Sequence, residues 1–159
     1  DPDGVRGPEH NRGQPNGFEQ AAAFLEEVAF RGAMLWVVVR CWGKLPGGLL
    51  KAVWLTAVVF GASHAIRIVL GRPAPVVGML ILDATLAGVF YAALVIRSRS
   101  VWPAVLVHLA INAYIGARAV SVPEFAETVS GWIVILLSGL PLLVLGLWML
   151  RGGDRTAGA

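Results

Sequence analysis

The sequence has little charge and almost no cysteine. Only 14% of its 159 residues are charged, whereas roughly a quarter are in ordinary soluble domains, and 57% are hydrophobic. This composition excludes a typical soluble domain. The 13 basic residues form no dense Lys/Arg block, which argues against nucleic acid as a partner. Cys41 is the single cysteine, so an internal disulfide and a cysteine-based zinc cluster are also excluded.

The hydrophobic residues instead gather into long runs. A run of roughly 20 apolar residues is enough to cross a hydrocarbon core about 30 Å thick. The pattern predicts an all-α fold, a polytopic transmembrane bundle of about five helices, in which short connections make consecutive helices antiparallel. These predicted helices, segments A to E, cover residues 18–42, 49–70, 74–96, 101–120 and 130–150.

Polar sequence lies on both sides of the predicted transmembrane domain, residues 18–150. Residues 1–17 are rich in Gly and Pro and have no apolar periodicity, so we expect a flexible tail or loop; residues 151–159 form a polar C-terminal tail. The chain has neither an initiator methionine nor the pattern of a signal peptide. We therefore expect it to begin inside a longer protein or after processing, with N-terminal helices of the bundle upstream.

A few polar residues interrupt the apolar runs, and such groups usually face a bundle interior or a water-filled cavity. In segment A, Glu27 and Arg31 stand four residues apart with the acid first, the favourable order for a helical ion pair. Glu26 points about 100° away from Glu27 around the helix, on the side of Phe30. These acids indicate either the solvated start of a helix or one paired and one available carboxylate.

Segments B and D add imidazoles. His108 and Asn112 are also four residues apart, so both face one side of segment D and can converge on a carbonyl oxygen or a water. His64 lies near the end of segment B. Each of these residues alone is also typical of hydrogen bonds between membrane helices. Together, Glu26, His64 and His108 suit either a zinc site or a carboxylate and imidazole that deprotonate water.

Three motifs therefore follow one another on successive apolar segments: Glu26-Glu27-x-x-x-Arg31, Phe60-x-x-x-His64 and His108-x-x-x-Asn112. In this order they resemble the CPBP intramembrane proteases, the CAAX protease and bacteriocin-processing family that is also called Abi. The resemblance covers residues 18–119. It implies an intramembrane endopeptidase that hydrolyses a peptide bond near the membrane, acting on a peptide or a prenylated protein.

The resemblance also implies a role for each motif residue. Glu26 and His64 would activate the attacking water, and His108 and Asn112 would stabilise the tetrahedral oxyanion. Two mechanisms stay open. In the first, a zinc ion is held by Glu26, His64 and His108; in the second, the enzyme is a glutamate protease without a catalytic metal.

The remaining motif residues would support the site. Glu27, paired with Arg31, is the supporting acid, and Phe60 belongs to the second motif. Asp83 and Arg67 belong to no motif of the family. We expect Asp83 to be a buried partner of Arg67 or Arg118, forming a membrane ion pair.

Other functions fit the sequence less well. No His-Glu-x-x-His is present for a zinc protease of the site-two type, and Asp83 alone in the spans cannot form a pair of catalytic aspartates. Ser63 and His108 resemble the catalytic Ser/His dyad of a rhomboid protease, but His64 stands where a glycine should follow the serine. The alternative from another class is a non-catalytic membrane protein, such as an immunity factor, a scaffold or a small transporter, with the same buried polar residues.

The basic residues also suggest an orientation. Seven lie on the side that holds the A–B and C–D loops and the C-terminus, against five on the other side, so the positive-inside rule predicts a cytoplasmic C-terminus. We expect an integral protein of the plasma membrane of a prokaryote, in contact with lipid. The first set is Arg40, Lys44, Lys51, Arg97, Arg99, Arg151 and Arg155, and the second is Arg6, Arg12, Arg67, Arg72 and Arg118.

Overall fold

The computed structural model describes residues 17–121, 133 and 135–151. Throughout these ranges the regular structure is helical and no strand is present, which confirms the predicted all-α bundle. The predicted tails lie outside the described residues, except for Gly17 and Arg151, which are helical. The first residues of segment E also lie outside them.

The first helical region runs without a break from residue 17 to residue 42. It consists of α1 (Gly17–Glu27), a π-helical segment π1 (Val28–Met34) and α2 (Leu35–Trp42). A π-helical turn is wider than an α-helical one and is frequent at functional sites. Here π1 begins directly after Glu27, so the widened turn carries the residues that follow the two glutamates.

The next two regions are both long and apolar. They are α3 (Gly48–Ser63), which continues after a turn into the short α4 (Ile66–Val69), and α5 (Ala74–Ser98). By length and composition, Gly48–Val69 and Ala74–Ser98 are each long and apolar enough to cross a membrane. The last regions are α6 (Trp102–Ser121), a second π-helical segment (Ile135–Gly139) and α7 (Leu140–Arg151).

Helix α5 is the centre of the bundle and packs against both α3 and α7. Small residues allow the close approach. An added Cβ at Gly146 of α7 would lie 2.8 Å from the Cα of Phe90, and one at Gly88 would lie 3.1 Å from the Cα of Ala57. Helices in membranes associate through such small residues, because lipid supplies no hydrophobic force between them. The resulting core contains Leu35, Val53, Ala57, Val89 and Ala92.

The start of the first region lies in an unexpected place. The alternation of spans puts the beginnings of segments A and D on opposite sides of the membrane, yet the ring of Phe24 lies 6.0 Å from that of Trp102, the first residue of α6. Helix α1 also packs along α6. A buried polar contact also joins these two helices.

Candidate active site

That contact joins Glu27 at the end of α1 to His108 in the middle of α6. Nδ1 of His108 lies 2.8 Å from Oε1 of Glu27, within hydrogen-bond distance. The Glu27 side chain has no exposed surface and His108 is also buried. Because an ionised carboxylate only accepts hydrogen bonds, the imidazole donates through Nδ1–H, and Nε2 is the nitrogen that is left for other partners.

Arg31 neutralises Glu27. Its Nη1 lies 3.1 Å from Oε1 of Glu27, and both side chains are buried. The approach is that of a charge pair rather than an aligned hydrogen bond, since among the described residues neither Nη1 nor Nη2 of Arg31 has a hydrogen-bond partner. The predicted pairing of these two residues is thus present. A buried carboxylate without such a cation would be strongly unfavourable.

Glu26 has a different environment from its neighbour. Its Oε2 lies 4.0 Å from Nε2 of His108, the nitrogen that faces away from Glu27. The Glu26 side chain is 35% exposed, whereas that of Glu27 is fully buried. The ring of His108 therefore stands between two carboxylates, one fixed and buried and the other accessible.

Two aromatic rings enclose this cluster. The ring of Tyr91 in α5 stacks on His108 with 5.1 Å between centroids, and Phe60 in α3 meets the same imidazole edge-on at 6.1 Å. The Arg31 guanidinium carbon lies 3.9 Å above the Phe60 ring and 5.2 Å from that of Tyr91. Such cation–π contacts offer a buried guanidinium stabilisation that does not require hydrogen bonds.

His64 also contacts Phe60. Its ring meets the Phe60 ring edge-on at 5.1 Å, and its Nδ1 lies 3.1 Å from the backbone oxygen of Phe60. The carbonyl can only accept, so Nδ1–H is the donor and Nε2 is again the outward nitrogen. In the described part of the chain, His64 makes no ion pair with Glu26, and Phe60 is what links the two histidines.

Asn112 occupies the predicted position one turn after His108 on α6 and is partly buried. No hydrogen bond of its carboxamide with another described residue is present. The structure thus brings Glu26, Glu27, Arg31 and His108 together, while in the described residues no hydrogen bond or ion pair joins His64 or Asn112 to the two acids.

The described residues do not match a metal site. Nowhere in residues 17–121, 133 and 135–151 do three His, Cys, Asp or Glu side chains come together in a way that could hold a metal ion. In addition, Nδ1 of His108 is occupied by Glu27. A zinc ion held by Glu26, His64 and His108 therefore does not fit the arrangement of these side chains.

The described residues give Asp83 a hydroxyl partner, and only half of its expected pairing can be examined in them. The hydroxyl of Ser138 donates to its Oδ1 at 3.4 Å, and Arg67 is exposed, with no salt bridge to Asp83 among the described side chains. The side chain of Arg118 lies outside the described part. A half-buried carboxylate can accept a hydrogen bond from a hydroxyl of a neighbouring helix, and the pairing of Asp83 with Arg118 stays a prediction.

Sequence reasoning missed three features of the site. It did not find the contact between Glu27 and His108, which are 81 residues apart. It overlooked Tyr91, although a tyrosine within a long apolar run is a signal that its polar group and ring have a specific place. It also overlooked Gly88, where an added Cβ would lie 3.2 Å from Nη2 of Arg31.

Comparison with known proteins gave one finding. Neither the curated proteins nor the solved structures include a match to this chain. The family model described as "Type II CAAX prenyl endopeptidase Rce1-like" matches residues 20–114. This range contains all three motifs and more than half of the chain, and it confirms the resemblance drawn from them. The chain therefore belongs to the Rce1-like family of type II CAAX prenyl endopeptidases, which are intramembrane proteases.

Proposed function

We propose that this protein is an endopeptidase in which Glu26 is the general base and His108 is held in position by Glu27. The observation that carries the proposal is the pair of contacts to one imidazole. Glu27 fixes Nδ1 at 2.8 Å, and this directs Nε2 towards Oε2 of Glu26 at 4.0 Å. An imidazole whose tautomer is set by a buried carboxylate is a recurrent device of hydrolytic enzymes.

The space between Glu26 and His108 suits a water molecule. Polar atoms more than 3.5 Å apart are often bridged by water, and the partial exposure of Glu26 allows water to reach it. In the proposed reaction, the water oxygen bonds to the carbonyl carbon of the peptide while Glu26 accepts a proton from the water. The same proton passes to the leaving nitrogen as the C–N bond breaks.

His108 and Asn112 would stabilise the negative oxygen of the tetrahedral intermediate. The Asn112 carboxamide has N–H donors and lies one turn from His108 on the same face. For His108 to donate through Nε2, its ring must carry a second proton, and the carboxylates on either side can balance that charge. His64, with its Nε2 directed away from Phe60, would help to orient the water on the Glu26 side.

No step of this proposal passes through a metal ion, because the described side chains do not form a set of three ligands. The family implies a protein substrate in a membrane, and we propose that this substrate is a peptide or a prenylated protein. We also propose that the protein lies in the plasma membrane of a prokaryote with its C-terminus in the cytoplasm, as the distribution of basic residues predicts.

The test is cleavage of a reporter peptide library by the purified full-length protein, with and without a strong chelator. We expect cleavage in both conditions and its loss in Glu26→Gln, with assembly intact. The matched control is Glu19→Gln, two turns earlier in α1, which should cleave like wild type. Loss of activity on chelation that zinc restores would overturn the metal-free mechanism. No cleavage by the intact wild-type protein would favour the non-catalytic alternative.

A further inference from the structure

An apolar cavity of about 530 Å³ lies where the connection between α2 and α3 meets the end of α7. Its walls come from that connection, from the first turns of α3 and from the last turn of α7. The side chains that define it are Leu45, Leu49, Trp54 and Leu147, and Arg151 is the one charged residue among its described lining residues. None of these residues belongs to the candidate active site. The volume falls within the range of small-molecule sites, about 300–1,000 Å³.

The rim of this cavity is positively charged. Arg151 lines it, and Arg40, Lys44 and Lys51 are exposed on the same helix ends and connection. Glu26, Glu27 and Asp83 have their partners elsewhere, in His108 and in Ser138. The charge at this end of the bundle is therefore of one sign, without acids that would pair with it in the described chain.

A second source of positive potential is the start of α3. This helix begins at Gly48, after Gly47 in the left-handed conformation with φ of 65°, and no side chain caps it, although the N–H of Gly48 donates to the carbonyl of Leu45. The N-terminus of a helix attracts anions through its first N–H groups and its dipole. Gly47, Gly48 and Arg151 all line the same cavity, so a cation and a helix start face one opening.

We propose that this cavity binds an anionic glycerophospholipid, with an acyl chain between Leu49, Trp54 and Leu147 and the phosphate at Arg151. The ligand must combine a long apolar chain with a negative group at one end, because the interior is apolar and the rim is basic. Basic pockets between helices at the cytoplasmic face are typical sites for anionic lipid headgroups. The basic rim lies on the side that the positive-inside rule assigns to the cytoplasm, where anionic lipids are available.

Trp54 provides a direct readout because it lines the cavity. The full-length protein in detergent micelles is titrated with phosphatidylglycerol that carries bromine on its acyl chains, and tryptophan fluorescence is recorded. The same titration uses brominated phosphatidylcholine. We expect the anionic lipid to quench a component of the fluorescence that is absent from Trp54→Phe. Cleavage activity is not needed for this measurement, so the result is independent of the proposed reaction.

The charged rim is tested with a matched pair of variants. Arg151→Gln should weaken binding, so that the half-saturating concentration of the anionic lipid rises about fivefold. This is the effect of one basic side chain near a membrane surface. Arg72→Gln removes an exposed arginine from the connection between α4 and α5 and should leave the titration unchanged. Circular dichroism checks that both variants are folded.

Three outcomes would overturn the proposal. The first is quenching that is the same in wild type and in Trp54→Phe, since no chain would then enter the cavity. The second is equal quenching by the anionic and the zwitterionic lipid with no effect of Arg151→Gln. The third is loss of the quenching when a stoichiometric amount of an uncharged isoprenoid alcohol is added, in both wild type and Arg151→Gln. That result would assign the cavity to an isoprenoid.

Discussion

Glu26 and Glu27 are neighbours in the chain but have different environments, and the proposed function gives them different roles. Glu27 is fully buried between Arg31 and His108, so its charge is part of the packing of three side chains. Glu26 is 35% exposed and only approaches His108, so its removal leaves no buried charge behind. The two acids should therefore respond differently to the same chemical change.

We expect Glu27→Gln to lower stability and cleavage together. Breaking a buried ion pair from one side costs about 3–5 kcal/mol, because the partner, here Arg31, stays buried and charged. Glu26→Gln should abolish cleavage and leave the melting temperature nearly unchanged. Thermal unfolding in detergent and kcat/KM on a reporter peptide measure both effects. Equal thermal shifts in the two variants would contradict the division of roles.

The ring of Tyr91 is expected to matter more than its hydroxyl. Tyr91 stacks on His108 with an interplanar angle of 20°, a contact that phenylalanine can also make. We expect Tyr91→Phe to keep kcat/KM within about twofold, and Tyr91→Leu to lower it by about two- to tenfold, the effect of an aromatic pair worth about 0.5–1.5 kcal/mol. Loss of activity in Tyr91→Phe equal to that in Tyr91→Leu would show that the hydroxyl is used instead.

For single residues, the sequence predicted the contacts that depend on helical spacing. The spacing of four residues identified the pair of Glu27 and Arg31 and placed Asn112 beside His108. It could not reveal that Glu27 also meets His108, because a contact between residues 81 positions apart depends on how α1 and α6 pack. The joint role of Glu26 and His64 that the resemblance implies stays a prediction, and the structure adds that Oε2 of Glu26 lies 4.0 Å from Nε2 of His108.

Among the helices, α5 sets the distance at which the others can approach. At Gly88 an added Cβ would lie 3.1 Å from both the Cα and the Cβ of Ala57 in α3 and 3.2 Å from Nη2 of Arg31. The side of α5 that meets α3 therefore also supports the active-site arginine. Packing between two helices and the geometry of the site depend on the same position.

We expect Gly88→Ala to destabilise the fold by about 1–3 kcal/mol, the usual cost of an extra methyl group in a filled core. It should also lower cleavage, since Arg31 must move. The control is Gly78→Ala in the same helix, where an added Cβ has no atom within 4 Å. Alanine is the better helix former by about 1 kcal/mol, so this variant should be as stable as wild type or more so. The measurement is thermal unfolding of both variants; equal destabilisation would contradict the packing argument.

Helix boundaries were predictable because apolar runs have sharp ends. Segment C, predicted at 74–96, is α5 at Ala74–Ser98, and segment D, predicted at 101–120, is α6 at Trp102–Ser121. The π-helical segment π1 and the turn that separates α3 from α4 were not predicted. Both depend on local backbone hydrogen bonds, which leave the hydrophobic pattern almost unchanged.

In the molecule as a whole, acidic and basic residues lie in different places. The acids Glu26 and Glu27 meet the histidine and arginine of the candidate active site, whereas the exposed basic residues Arg40, Lys44 and Arg151 lie at helix ends. We expect such a separation to orient the bundle in a membrane, because basic residues are usually retained on the cytoplasmic side. The same end of the bundle contains the cavity with the basic rim.

Cys41 allows this orientation to be measured without changing the wild-type chain. It is the single cysteine, it is exposed, and it lies at the end of α2 beside the basic connection. If the C-terminus is cytoplasmic, a membrane-impermeant maleimide should label Cys41 in inverted membrane vesicles and not in intact cells.

A second variant controls for the case in which lipid covers the Cys41 thiol and prevents labelling. Lys44→Cys in a Cys41→Ser background moves the thiol into the connection between α2 and α3, where residue 44 is exposed. It should be labelled from the same side as Cys41. Arg72→Cys in the same background, in the connection before α5, should be labelled in intact cells, because a span separates the two connections. Labelling of Lys44→Cys in intact cells would reverse the orientation and place the basic rim, and the lipid site with it, on the outer face.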